Sequence, residues 1–184
     1  ILGAGAIGCL FAVNLQRSGV SCRLILKQDV RGLCDIEIVD ARGRSSIPVA
    51  ATPADDPAPI GNLLVTTKAY DVEKALQSVS HRLGSDSQVL LMVNGMGLLE
   101  TAASQLPEVA LFAGTTTEAA YRTGERQVRH AGRGITRIGS LESRAKPEWI
   151  NSWQGMSLAC QWDPHIEAAL WHKLAINCAI NPLT

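Results

Sequence analysis

The chain opens with Ile1-Leu2-Gly3-Ala4-Gly5-Ala6-Ile7-Gly8, which contains the pattern Gly-x-Gly-x-x-Gly. This pattern predicts a dinucleotide-binding turn where a strand precedes it and a helix follows it. Ile1-Leu2 is typical of the end of a strand, and residues 7–18 have the apolar face of a helix that stops at Gly19. The first glycine allows a tight turn, the second a close approach of the pyrophosphate, and the third close packing of helix on strand. The alternative is a tight turn that binds no ligand.

Downstream of this turn, apolar strands alternate with helices. The sequence predicts strands at 22–26, 62–67, 88–93 and 109–113, helices at 71–83, 98–106 and 147–154, a hairpin of 35–40 with 45–50, and a strand-rich segment over 115–140. This alternation implies right-handed crossovers and an α/β fold with a doubly wound, mostly parallel Rossmann-type sheet. A new helix begins at Pro164. We place a domain boundary near Asp163, which divides a cofactor-binding domain (1–163) from the start of a second domain (164–184).

Composition and charge argue against several classes of function. Lysine plus arginine equals aspartate plus glutamate, 17 each, so no net charge favours nucleic acid or an anionic membrane. Any positive charge that attracts an anionic ligand must therefore be concentrated at one site. No apolar run reaches the roughly 18 residues of a membrane span. The five cysteines are scattered and form no Cys-x-x-Cys pair. This usage is typical of free thiols in the cytoplasm and predicts neither a disulfide framework nor a metal site.

The end of the second predicted strand indicates which dinucleotide binds. Proteins that bind NAD usually have an acid there, because a carboxylate accepts a hydrogen bond from the ribose 2′-hydroxyl. Here the strand ends at Lys27. A cation suits the additional 2′-phosphate, so the sequence favours NADP (as NADPH). Two alternatives stay open: Lys27 is a solvated surface lysine, or the loop turns Asp29 toward a ribose hydroxyl.

Further polar residues lie where predicted strands end. Lys68 follows Leu63-Leu-Val-Thr-Thr67, Asn94 follows Val89-Leu-Leu-Met-Val93, and Ala120 lies shortly after Gly114-Thr-Thr-Thr117. Ligands of doubly wound sheets bind at the carboxyl ends of the strands. We therefore expect the glycine turn, Lys27, Lys68 and Asn94 to face one crevice, although each residue by itself is more often an ordinary loop residue.

The last predicted helix has a polar stripe. Lys173, Asn177 and Asn181 are spaced four residues apart and share one face, whereas the rest of the helix is apolar nearly all round. Spacing alone leaves two interpretations open, a solvated face or the wall of a polar pocket. Pro182 disfavours helical geometry at Asn181.

These segments together resemble the ketopantoate reductase family. The resemblance rests on the glycine pattern and on the segments Val65-Thr-Thr-Lys-Ala69, Asn94-Gly-Met-Gly97, Gly114-Thr-Thr-Thr117, Gly132-Arg-Gly-Ile-Thr136 and Trp171-His-Lys-Leu-Ala-Ile-Asn-Cys-Ala-Ile-Asn-Pro-Leu-Thr184. The segments cover essentially the whole chain, and the final Lys-Asn-Asn-Pro-Leu-Thr block is the most diagnostic.

The resemblance implies NADPH-dependent reduction of 2-dehydropantoate to pantoate, a step of pantothenate synthesis. It implies Lys173 as the catalytic lysine and proton donor, and Asn177 and Asn181 as substrate-binding residues. Asn94 would contact both cofactor and substrate, and Lys68 and Ala120 would contact the cofactor. The family often has arginine where Lys27 stands. A lysine keeps the charge but lacks the planar fork, which would weaken the preference for NADP.

The family continues into an all-helical domain that closes the crevice, supplies a glutamate and a serine, and could form a homo-oligomer. We expect residues 164–184 to be the truncated start of that domain. Two rival functions remain: a sibling dehydrogenase that acts on another 2-oxo acid, and a non-catalytic NADP-binding module. The polar stripe of Lys173, Asn177 and Asn181 argues against the non-catalytic module, because a protein that only binds NADP needs no proton donor.

Overall fold

A computed structural model describes residues 1–93, 95 and 97–180. The α-helices in this part of the chain are α1 (Ala6–Arg17), α2 (Val72–Val79), α3 (Leu98–Gln105), α4 (Glu148–Asn151) and α5 (Ile166–Ile180). The strands are β1 (Arg23–Leu26), β2 (Gly32–Asp40), β3 (Gly43–Pro53), β4 (Asn62–Val65), β5 (Gln88–Leu91), β6 (Ala110–Thr116), β7 (Ala119–Gly124), β8 (Gln127–Gly132), β9 (Ile135–Gly139) and β10 (Ala159–Trp162).

The strands form two groups that meet at Leu2. One group has the order β1-β3-β2-β8-β7, and the other has the order β10-β9-β6-β5-β4. Leu2 forms parallel bridges to Ile25 of β1 and Val65 of β4. It therefore stands as the central strand from which the glycine turn emerges, as the sequence predicts.

Side chains of the central strands point alternately to two cores, because successive residues of a strand face opposite sides of the sheet. Leu64, Leu90 and Phe112 pack with the buried face of α1. Their neighbours Leu63, Val89 and Leu111 pack with α2 and α3 on the other side. Helices thus cover both faces, which confirms the α/β, Rossmann-type prediction.

The sheet is more mixed than predicted. Five strand pairings are parallel, but β2–β3, β6–β9 and β7–β8 are antiparallel. The hairpin about Arg42 is confirmed and is longer than expected, since it joins β2 to β3. The helix predicted over 147–154 is helical only at Glu148–Asn151 and continues as a 3-10 turn. Strand β10, which has four residues and lies at the edge of the sheet, was not predicted.

Helix α5 packs against β6 and β9. Its first residue, Ile166, is buried, whereas Trp171 is 54% and Ile176 43% exposed. The boundary near Asp163 stays a prediction. Among the described residues, no helix has the length and apolarity needed to cross a membrane.

Candidate functional site

A crevice of about 640 Å³ lies at the carboxyl ends of β1 and β4. Its walls come from the glycine turn, the end of β1, the segment from Thr66 into α2, and the hairpin of β7 and β8. Gly3, Ala4, Gly5, Lys27 and Lys68 all line it. The expectation that the glycine turn and these two lysines share one crevice is thus met by the geometry.

Two glycines of the turn are required by the fold itself. Gly3 has a φ of +108°, and a Cβ there would lie 2.8 Å from the backbone nitrogen of Thr67. A Cβ on Gly8 would lie 1.9 Å from the carbonyl oxygen of Gly3, which accepts a hydrogen bond of 2.7 Å from Oγ1 of Thr66. Gly8 therefore lets α1 pack closely on the turn.

Gly5 is different, because no contact with the described residues requires a glycine there. Its φ of −77° is open to any residue, and a Cβ would meet no atom nearer than the Thr66 carbonyl oxygen at 4.0 Å. The space in front of Gly5 belongs to the crevice. A glycine that the fold does not need, at the wall of a crevice, fits a ligand that must approach the backbone.

The first turn of α1 suits an anion. Gly5 is the N-cap, it provides no side-chain cap, and no acid lies in the first turn. The first N–H groups of the helix and the positive end of its dipole are therefore open to a phosphate. Together with the room in front of Gly5, this arrangement fits the pyrophosphate of a dinucleotide.

Cations gather around this crevice although the chain carries no net charge. Lys27 and Lys68 are joined by three cations that the sequence analysis missed, Lys74, Arg122 and Arg126, against the acids Asp71 and Glu125. Both arginines come from the hairpin of β7 and β8. No motif marks them, since only the fold of a distant strand pair brings them to the glycine turn.

The end of β1 presents a cation, not an acid, to the crevice. Lys27 is exposed at the crevice. Asp29, which could have turned inward, is also exposed, and its Oδ1 accepts a hydrogen bond of 3.1 Å from Nε of Arg31. Asp29 does not line the crevice. Nζ of Lys68, which also lines the crevice, lies 5.7 Å from the ring centre of Tyr70 in a cation–π contact.

Lys173 lies at the carboxyl end of β6. Its Nζ donates a hydrogen bond of 2.5 Å to the carbonyl oxygen of Thr116, the last residue of that strand. Lys173 is half-buried, and this desolvation lowers the pKa of its ammonium. Because β4, β5 and β6 are parallel neighbours, Lys173 stands on the same sheet edge as Lys68.

The other predicted residues have varied surroundings. Asn177 is half-buried on α5, one turn after Lys173. Ala6, Ile7 and Gly8 lie in the first helical turn behind the crevice wall, and Ala120 lies on β7, half-buried against the core that contains α1. Asn94 and Asn181 fall outside the described residues.

A buried acid–histidine pair near Lys173 was also missed. Oε2 of Glu118 lies 2.6 Å from Nε2 of His130, and the Glu118 side chain is 1% exposed. The backbone N–H of Glu118 donates to Oγ1 of Thr116, whose carbonyl holds Lys173. Glu118 directly precedes β7 and His130 lies on β8, twelve positions later, with no motif around either residue, so only strand pairing reveals the pair.

Known proteins of one family are similar to this chain. The family model described as ketopantoate reductase PanE/ApbA matches residues 1–143. The 2-dehydropantoate 2-reductase of Vibrio cholerae is 34% identical over 199 residues, which cover 100% of this chain and 62% of that protein. The enzyme of the same name from Shigella flexneri is 35% identical over 189 residues, which cover 100% of this chain and 60% of that protein.

Solved structures share the fold. The ternary structure of D-mandelate dehydrogenase with NADH and anilino(oxo)acetate has a TM-score of 0.86 at 22% identity, and the alignment covers 99% of this chain and 62% of that one. The chain thus spans about three fifths of the length of the curated relatives it matches. Since the family model matches well over half of the residues, the chain belongs to the ketopantoate reductase family.

Proposed function

We propose that this chain is the NADP-binding part of a 2-dehydropantoate 2-reductase. The observation that carries the proposal is the placement of Lys27, Lys68 and the glycine turn in one crevice, with half-buried Lys173 on the same sheet edge. The chain has no net charge, but cationic side chains line the crevice in which the phosphates of a dinucleotide would lie. The names of the curated relatives support the same activity.

The cofactor would extend along the carboxyl edge of the sheet. The backbone N–H groups at the start of α1 and the ammonium of Lys68 would hold the pyrophosphate, and Lys27 would bind the 2′-phosphate. Ala120 and Asn94 would contact the cofactor on its way toward β6. When bound, NADPH supplies the hydride that adds to the carbonyl carbon of the 2-oxo acid.

Lys173 would act on the carbonyl oxygen of the substrate. Negative charge builds on that oxygen during reduction, and an ammonium beside it stabilises the charge and donates the proton that completes the hydroxyl group. Burial eases this transfer, because a lowered pKa makes the ammonium a stronger acid. Asn94, Asn177 and Asn181 would hold the substrate through amide hydrogen bonds that leave the charge of Lys173 unperturbed.

The substrate is a small molecule, and neither nucleic acid nor a membrane is expected as a partner. All five cysteines are free thiols in the structure, which supports a cytoplasmic protein. We also propose that the complete protein forms a homo-oligomer through the helical domain that the family resemblance implies.

The alternative function with the same reaction chemistry is a dehydrogenase that acts on another 2-oxo acid. D-mandelate dehydrogenase, which shares the fold, is the reason to test it. Initial rates of NADPH oxidation by the complete gene product separate the candidates. We expect kcat/KM for 2-dehydropantoate to exceed that for an aryl 2-oxo acid such as phenylglyoxylate by at least about 100-fold. A preference for the aryl acid would favour the sibling dehydrogenase, and tight binding of NADPH without turnover of either acid would favour the non-catalytic module.

A further inference from the structure

The turn of the β7–β8 hairpin is directed toward the end of the sheet at which β1 ends. Strand β8 runs parallel to β2 and begins level with Glu37, so the turn residues Glu125 and Arg126, which precede β8, are directed toward the start of β2. The start of β2 and the end of β1 lie at the same end of the sheet, on either side of β3, because β3 pairs antiparallel with β2 and parallel with β1. The hairpin therefore directs Arg122 and Arg126 toward the wall that carries Lys27, and all three line the crevice.

The hairpin also lies along the helix that begins at the glycine turn, because β7 and β8 both pack on α1. Burial raises the pKa of the Cys9 thiol in α1 to about 11, and the positive charges of Arg122 and Arg126 oppose that rise. The backbone carbonyl of Arg126 accepts a hydrogen bond of 2.9 Å from the N–H of Glu37, which anchors the turn to β2.

The conformation of Arg126 indicates that its side chain has a use. Arg126 has a φ of +53°, in the left-handed region where glycine is far less strained than other residues. Of the described non-glycine residues, Ser143 alone shares this feature. A turn that would be more stable with glycine holds an arginine instead, at the wall of a crevice that suits an anion. The register shift between Arg122 and Gly124 is a second irregularity, and such bulges re-aim side chains.

The guanidinium groups keep donors for a ligand. Nε of Arg122 donates to the Gly124 carbonyl at 3.3 Å, which leaves its terminal N–H groups. Nη1 of Arg126 pairs with Oε1 of Glu125 at 3.1 Å, but the Glu125 side chain is 63% exposed, so this pair is weak and screened. Lys27 by contrast offers a single point charge without a planar fork.

We infer that Arg122 and Arg126 complete the 2′-phosphate site of NADP that Lys27 begins. The inference rests on the proposed cofactor. A phosphate held between Lys27 and two arginines gains the bidentate geometry that a lysine cannot provide. Selectivity for NADP over NAD is therefore shared between the end of β1 and the hairpin. Arg122 and Arg126 supply the planar pairs of N–H donors that Lys27 lacks.

The test compares Arg122→Ala, Arg126→Gly and the double variant of the complete gene product, with NADPH and NADH titrated by cofactor fluorescence. Glycine suits the backbone of residue 126, so this variant should keep the melting temperature of the parent while losing the guanidinium. Arg42→Gly is the matched control, because Arg42 is exposed in the turn between β2 and β3 and does not line the crevice.

Each single variant should raise the Kd for NADPH at least about 10-fold, which corresponds to about 1.4 kcal/mol, and change that for NADH less than about 2-fold. Arg42→Gly should leave both constants near those of the parent. Unchanged NADPH binding, or an equal loss for both cofactors, would overturn this inference and leave the proposed function standing. A parent protein that binds neither cofactor would overturn both.

Discussion

The ammonium of Lys173 donates a hydrogen bond to the carbonyl oxygen of Thr116 and so joins α5 to the end of β6. The contact spans 57 residues of sequence and holds a cation at the sheet edge where the crevice of the glycine turn also lies. Thr116 itself is fixed, since its Oγ1 shares a hydrogen bond of 2.9 Å with Oγ1 of Thr136 on β9. The position of the ammonium is therefore set by the sheet.

Lys173→Ala should lower kcat for 2-dehydropantoate by at least about 100-fold, the usual scale for the loss of a general acid. The Kd for NADPH should change little, because the glycine turn, Lys27 and Lys68 hold the cofactor elsewhere along the edge. Steady-state rates and a cofactor titration of the complete gene product provide both numbers. A variant with the kcat of the parent would end the catalytic assignment.

The pH profile gives an independent readout of the same residue. Burial lowers the pKa of Lys173, and reduction requires its protonated form. The rate of reduction should therefore be full at low pH within the stable range and should fall as pH rises through this lowered pKa, which lies below the ordinary range of lysine. In Lys173→Ala this limb of the kcat profile should disappear. A parent profile that stays flat up to the ordinary pKa of lysine would show that another group donates the proton.

Glu118→Ala should lower the free energy of unfolding by about 1–3 kcal/mol, because it leaves the ring nitrogen of His130 without its partner in a largely buried site. Glu118→Gln keeps an acceptor oxygen for His130 and should cost less. Glu125→Ala, which removes an exposed acid from the turn between β7 and β8, is the control and should be nearly neutral. Urea unfolding measures all three. Equal stability of Glu118→Ala and the parent would show that the pair contributes nothing.

Residues 1–184 expressed alone should self-associate, because Trp171 and Ile176 expose apolar surface on α5. This polypeptide should still bind NADPH, since the crevice is built within it, but it should show no measurable turnover of 2-dehydropantoate. Light scattering and a cofactor titration test the two statements, and Trp171→Gln should reduce the association. Full turnover by residues 1–184 would show that nothing beyond them is needed for catalysis.

Local sequence patterns were enough to predict much of the fold and part of the candidate site. The glycine turn, Lys27 and Lys68 could be predicted because each follows a strand whose end the sequence marks, and parallel strands bring their ends to one edge. Lys173 was marked by its spacing on an apolar helix. Its acceptor, the Thr116 carbonyl, was not, because a backbone oxygen leaves no trace in side-chain patterns.

Residues placed by strand pairing could not be predicted in this way. Arg122 and Arg126 reach the crevice only because β8 pairs with β2, which lies about ninety residues earlier in the chain. Glu118 and His130 meet only because β7 pairs with β8. β10 has four residues of mixed polarity, too few to show an alternating pattern.

Substitutions of two glycines in the first turn should affect stability and cofactor binding separately. Gly8→Ala should destabilise the protein by several kcal/mol or prevent its folding, because the new Cβ would overlap the Gly3 carbonyl oxygen at 1.9 Å. Gly5→Ala should leave the melting temperature unchanged or slightly raised, because its backbone is unstrained and its Cβ would meet no atom closer than 4.0 Å. The same methyl group would enter the space proposed for the pyrophosphate, so binding of NADPH and NADH should weaken alike, by at least about 10-fold. Thermal unfolding and cofactor titration of the two variants measure both effects. Normal cofactor affinity in a folded Gly5→Ala protein would place the pyrophosphate away from this turn and would overturn the proposed orientation of the cofactor.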